Sequence, residues 1–287
     1  MKANADVSLK TGIGVQTGLM SHPSSRTDRH LRVVPDQPVR RPDPVAVGRD
    51  LLGRVDPWDA ERAAASYLAD AEGAGRLPRV WTDDIPALER AASRGALAML
   101  LAVGSVAGDE RGEPASAAAG RLTAAGVRPP PWAGELSHPI EALDAWRLCW
   151  ADGLTSALNC TFHRAARSHS LVVLVDHLDG DIATDILEFD DSGLAETIGR
   201  LAARGQVTLE TPGQAVVRAD MEQALRTRAE RDRTGVGCRS LGAEITGGEV
   251  PGFPAMTWLL RARLPHMGTR YAPRPNLSLL SGESTKD

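Results

Sequence analysis

The sequence predicts an α+β protein: an N-terminal helical layer followed by a small antiparallel β-meander backed by C-terminal helices. Three observations carry this. Residues 51–127 place apolar side chains at helical spacing, residues 154–189 show extended apolar runs broken by turn signals, and Pro129-Pro130-Pro131 separates the two patterns. Helices and strands segregated along the chain argue against a doubly wound parallel sheet.

Residues 1–50 read as a disordered tail. They are rich in Ser, Thr, Gly, Pro and Arg, and five prolines fall between Pro23 and Pro44. Eight Lys/Arg against five Asp leave this tail at +3. Gly12, Gly14 and Gly18 are spaced GxGxxxG rather than GxGxxG, with no strand before them and no helix after, so no nucleotide loop is inferred.

The helical region spans 51–127. Asp56 suits an N-cap, Pro57 the first helical position, and Asp59 the positive end of the helix dipole. Ala60, Ala63, Ala64, Tyr67, Leu68 and Ala71 follow at i, i+3, i+4 spacing, and Gly73 and Gly75 stop the helix. A second helix starts near Thr82–Asp84 and grows more apolar toward Val103, which implies burial on most sides. Gly104–Gly112 reads as a loop, and 114–125 as a short Ala-rich helix. Small Ala faces let helices approach closely, so a compact three-helix bundle is expected.

Residues 128–139 form a Pro-rich linker, since three consecutive prolines can neither continue a helix nor sit in a central strand. The linker is expected to dock Trp132. An α+β domain then spans 140–267. Residues 143–150 fit a strand or a helix equally. Residues 154–163, 169–178 and 181–189 read as a meander, joined by loops at Arg164–Ser168 and Asp179-Gly180, the latter a sequence favoured in two-residue hairpin turns. A helix at 192–204, a strand at 207–210, a charged exposed helix at 219–232 and a last helix at 253–267 complete the domain. Residues 268–287 read as a flexible C-terminus.

Candidate chemistry gathers on the hairpin. With Asp179-Gly180 as the turn, Asp176 faces Ala183 and Leu174 faces Asp185, so Asp176, Asp181 and Asp185 share one face. Three carboxylates at that spacing could ligate a hard divalent cation through oxygen. His177 and His163 are the candidate acid/base groups. If His163 pairs with His169, Leu158, Cys160 and Phe162 join the acidic face, and Asp185 then lies on an apolar patch. A buried carboxylate there needs a partner, or the register is off by one. The blander account makes these aspartates turn and rim residues that keep a buried strand soluble.

Composition narrows the function classes. A net charge of -4 asks for neither nucleic acid nor an anionic membrane as partner. Lysine occurs only at Lys2, Lys10 and Lys286, an Arg bias that fits a bacterial genome of high GC content. Cys149, Cys160 and Cys238 show no CxxC spacing, so neither a disulfide framework nor a zinc site is indicated. No apolar run has the ~20 residues of a membrane helix, and a cytoplasmic location is expected. No GxSxG, HExxH or Walker motif is present. The expectation is a non-catalytic accessory or protein-interaction protein of the bacterial cytosol, its partner met by the 219–232 helix or the N-terminal tail. The alternative is a divalent-metal-dependent hydrolase built on Asp176, Asp181 and Asp185, and only that alternative implies a metal cofactor.

Overall fold

The structure, a computed structural model, describes residues 42–203, 207–235, 238, 240, 242 and 252–268. The described elements are α1 (Pro44–Leu51), α2 (Pro57–Gly73), a helical turn α3 (Leu77–Arg79), a π-helical turn (Val80–Asp84), α4 (Ile85–Ala91), α5 (Arg94–Ala107), α6 (Asp109–Ala124) and the short α7 (Ala133–Leu136). Strands β1 (Glu141–Trp150), β2 (Thr155–Arg164), β3 (Arg167–Asp176) and β4 (Ile182–Phe189) follow. Then come α8 (Asp191–Ala203), β5 (Val207–Glu210), α9 (Gln214–Arg233) and α10 (Phe253–Arg263). The α+β expectation holds: one five-stranded antiparallel sheet, ordered β4-β3-β2-β1-β5, packs against helices.

Two Asp-Pro pairs start helices. The Asp56 side chain accepts from the Trp58 N–H, with Pro57 at the first helical position, as the sequence indicates. Asp43 does the same for Val45, with Pro44 following. The segment 44–51, placed in the disordered tail by composition, is therefore helical. It lies close against α5: a Cβ built on Gly48 would stand 2.0 Å from the Gly95 carbonyl oxygen. The segment expected as a loop at 104–112 is also helical apart from Gly108, which separates α5 from α6 at φ 79°. The single helix expected from Thr82 to Val103 is instead broken. Ala92 turns left-handed at φ 43°, and Ser93 caps α5 by accepting from the Ala96 N–H.

The proline segment does not divide the interior into separate helical and sheet cores. Trp132 is buried, and its indole N–H donates to the Leu51 carbonyl at 2.9 Å. Bundle residues such as Leu68 and Leu97 share one apolar core with Phe162, Leu171 and Val173 from the sheet and Leu259 from α10. The opposite sheet face carries a smaller core of Trp146, Leu148, Val172, Leu174 and Leu187, covered by Leu194, Ile198 and Leu201 of α8.

Both hairpins depart from the expected register. β2 and β3 are joined by Ala165 and Ala166, with Ala165 at φ 54°. Phe162 therefore pairs with His169 and His163 with Ser168. This one-residue shift moves Leu158, Cys160 and Phe162 to the helical face, because alternate residues point to opposite sides. Between β3 and β4, Asp179-Gly180 is not a two-residue turn. The connection runs from His177 to Asp181, with Gly180 and Asp181 at φ 84° and 61°. Asp176 consequently pairs with Ile182 and Val175 with Ala183; a bulge at Thr184 then restores Leu174 opposite Asp185.

A buried ionic cluster joins the layers. Glu61 of α2 is 1% exposed and bonds to Arg263 of α10 and to Ser105 of α5. Arg164 of β2 donates to the same carboxylate at 2.7 Å. Removing the anion would leave two buried guanidiniums facing each other, a loss of about 3–5 kcal/mol for a broken buried pair. Glu61→Gln should therefore lower the unfolding free energy from urea titration by that order. Glu89→Gln, which frees only the exposed Arg121, should lower it far less. Equal effects of the two substitutions would refute the assignment.

Candidate functional site

Of the sequence-predicted site residues, the structure brings together only His177 and Asp181. Asp176 accepts from the Leu178 N–H at 2.9 Å and so closes its own turn. Asp181 is exposed and lies 2.6 Å from His177 Nδ1. Asp185 is buried, as the apolar patch requires, and it has partners: the Ser240 hydroxyl donates at 2.7 Å and the Gly242 N–H at 2.9 Å. Among the described residues, no three His, Cys, Asp or Glu side chains gather so as to hold a metal ion. The three carboxylates thus act on three separate groups. The expected shared face fails because Asp181 sits in the turn rather than in β4.

His163 and His177 are also kept apart. His163 lies near the Ala165 turn, while His177 packs by Ser156 at the other end of β2. At ~3.3 Å per residue, Ser156 and His163 are roughly 23 Å apart. Their side chains also point to opposite faces, so the two histidines cannot serve one reaction.

What the structure does assemble is a chain of three. His177 Nε2 lies 3.0 Å from Ser156 Oγ, and Nδ1 lies 2.6 Å from Asp181 Oδ1. A carboxylate only accepts, so Nδ1 carries a proton; in the neutral imidazole Nε2 then accepts from the Ser156 hydroxyl. Sequence reasoning missed this. Ser156 is 21 residues from His177 and no local motif marks it. The connectivity is that of an acyl-transfer triad, but the exposure is inverted. Ser156 is 2% exposed, whereas the His177 and Asp181 side chains are 37% and 66% exposed. A nucleophile has to meet its substrate, and a solvated carboxylate orients and stabilises an imidazole weakly. As it stands, the chain ties the hairpin turn to β2.

The helix after β5 holds that hairpin from the other side. Arg228 donates to the carbonyls of Ala183 and Thr184 at the bulge, at 3.1 and 3.2 Å, and its guanidinium lies over the Phe253 ring. Arg231 pairs with Asp179 at 3.1 Å. Val217, Met221, Ala224 and Leu225 are buried, so α9 is less exposed than its charge suggests. Its other side meets α10 and forms a groove of about 330 Å³. Arg218, Arg226 and Arg261 stand around it, with Glu222, Leu225 and Leu264. Glu222 accepts from Arg218 at 2.7 Å, and Arg218 also reaches the Met267 carbonyl. Arg226 bonds to neutral Gln223. Neither Ser156 nor His177 lines this groove.

Two large titration shifts lie at the layer junction. Burial alone would raise the Glu61 carboxyl. Arg263 and Arg164 beside it, with hydrogen bonds from Ser105 and Arg263, outweigh that and bring it down to about 2. Burial pushes the His169 imidazole down to about 3, with Arg263 adding to the effect. His169 stacks on Trp58 with ring centroids 3.9 Å apart, and its Nε2 accepts from Arg263 Nε at 3.3 Å, which only the neutral ring can do. No protein-family model, curated protein or solved structure matches this chain. Among the described residues no helix is long and apolar enough to cross a membrane.

Both shifts predict that acid destabilises the fold. Below its ordinary 6.5, His169 binds a proton in the unfolded chain but stays neutral in the fold until about 3. Stability should therefore fall as pH drops through this window, and Glu61 should add to the fall between 4.5 and about 2. Urea midpoints at pH 7.5 and 5 should differ in the wild type and differ less in His169→Gln. Parallel pH profiles for the two proteins would contradict the assignment of the upper window to His169.

Proposed function

We propose that this chain is a non-catalytic protein-interaction protein of the bacterial cytosol, and that it docks its partner through α9. The observation that carries the reading is the groove between α9 and α10. One side of α9 is committed to the hairpin through Arg228 and Arg231. Its other side presents a concave surface in which apolar and charged groups lie together. Interfaces favour such a mixture, with Arg enriched and an apolar centre ringed by polar groups. The strong bias of Arg over Lys supports the bacterial source.

A photo-crosslinking residue at Ala229, which lines the groove, should yield a discrete protein adduct in lysate of the source cell. The same residue at Gly134 of α7 should not. Identical adduct patterns from the two positions, or none from Ala229, would remove the support for docking through α9.

A second reading, a hydrolase, is favoured by the Ser156–His177–Asp181 chain alone. In it, Ser156 Oγ would attack an ester or amide carbonyl while its proton passes to His177 Nε2, which then protonates the leaving group; water would release the acyl group. This version needs no metal. A fluorophosphonate probe separates the readings. Native protein should remain unlabelled, because Ser156 is buried. Labelling of the wild type that disappears in Ser156→Ala would establish the hydrolase and end the non-catalytic reading.

A further inference from the structure

We infer that the groove between α9 and α10 binds a short acidic segment of a partner protein, anchored by an aliphatic side chain. The inference rests on the reading of α9 as a docking element and names the chemistry of what docks there. Three guanidiniums, Arg218, Arg226 and Arg261, surround the groove against one carboxylate, Glu222. Glu222 is already paired with Arg218. Arg226 and Arg261 have no acidic partner among the described residues, so the groove holds two uncompensated positive charges in a protein whose net charge is -4. Both are exposed and therefore solvated until something displaces the water.

Between the arginines the surface is apolar. Leu225 and Leu264, each 5% exposed, line it there. A carboxylate on the segment can meet a guanidinium in a bidentate pair, which a lysine rim would not offer. An aliphatic side chain on the same segment packs against the small apolar surface that these leucines still present. Charge complementarity sets the sign of the partner and the apolar lining sets the anchor; a basic or wholly polar segment satisfies neither.

The test is fluorescence anisotropy with the full chain and a labelled peptide of alternating Asp, Glu and Leu. Matched peptides carry Lys in place of the acids, or Ser in place of Leu. The acidic leucine peptide should bind, and both matched peptides should bind at least about tenfold more weakly. Arg226→Glu and Arg261→Glu should each weaken binding by about tenfold with an unchanged melting temperature, and raising the salt should weaken it further. Absence of binding, equal binding of the Lys peptide, or unchanged binding by both variants would overturn the inference. So would tighter binding of an oligonucleotide than of the acidic peptide. An adduct specific to Ala229 with no acidic-peptide binding would leave docking through α9 standing and remove only the acidic partner; loss of both would remove both.

Discussion

The structure depends on where it puts Glu61. One carboxylate, nearly excluded from water, receives Arg164 from the sheet, Arg263 from the last helix and Ser105 from the bundle. Desolvating any of these charges alone would cost several kcal/mol, so each element that contributes one is constrained by the others. The cluster holds two cations for one anion, and the excess is tolerated through neighbours. Arg263 lies near the Trp58 ring, 5.2 Å from its centroid, and donates to a His169 that burial keeps neutral. The aromatic surround of Trp58, His169 and Phe162 is therefore involved in the electrostatics as well as in the packing.

The same principle, one helix answering two demands, governs α9. Its buried side closes the sheet, and its Arg228 donates to the Ala183 and Thr184 carbonyls at the bulge in β4. The bulge in β4 is thus the point at which Arg228 grips the strand. That anchors the helix in position, and a helix so held can present its remaining face as a preorganised surface, which lowers the entropic cost of binding.

Much of the fold was legible because local signals agreed with it. Asp56-Pro57 and the alanine spacing located α2, and the run from Leu171 to Val175 located the central strand. The departures have physical causes. Asp43-Pro44 carries the same start signal as Asp56-Pro57, but the surrounding composition masked it. Ala165 adopts a left-handed conformation without being Gly, Asn or Asp, so the tight hairpin left no mark and the register slipped by one. The site was less legible than the fold. Asp185 was recognisable as a carboxylate in need of a partner, and the structure supplies Ser240 and Gly242, but a partner 55 residues away cannot be read from spacing. The Ser156–His177–Asp181 chain escaped for the same reason: it depends on strand register rather than on a motif.

The ionic cluster also bears on the order in which the chain can acquire structure. Arg164 lies 103 residues and Arg263 202 residues from Glu61. Contacts of such separation are slow to form, since the loops between them must close before any gain is realised. During synthesis the bundle would emerge with a glutamate poised for a burial it cannot complete until α10 leaves the ribosome. The finished form of the N-terminal bundle thus depends on a residue near the far end of the described chain.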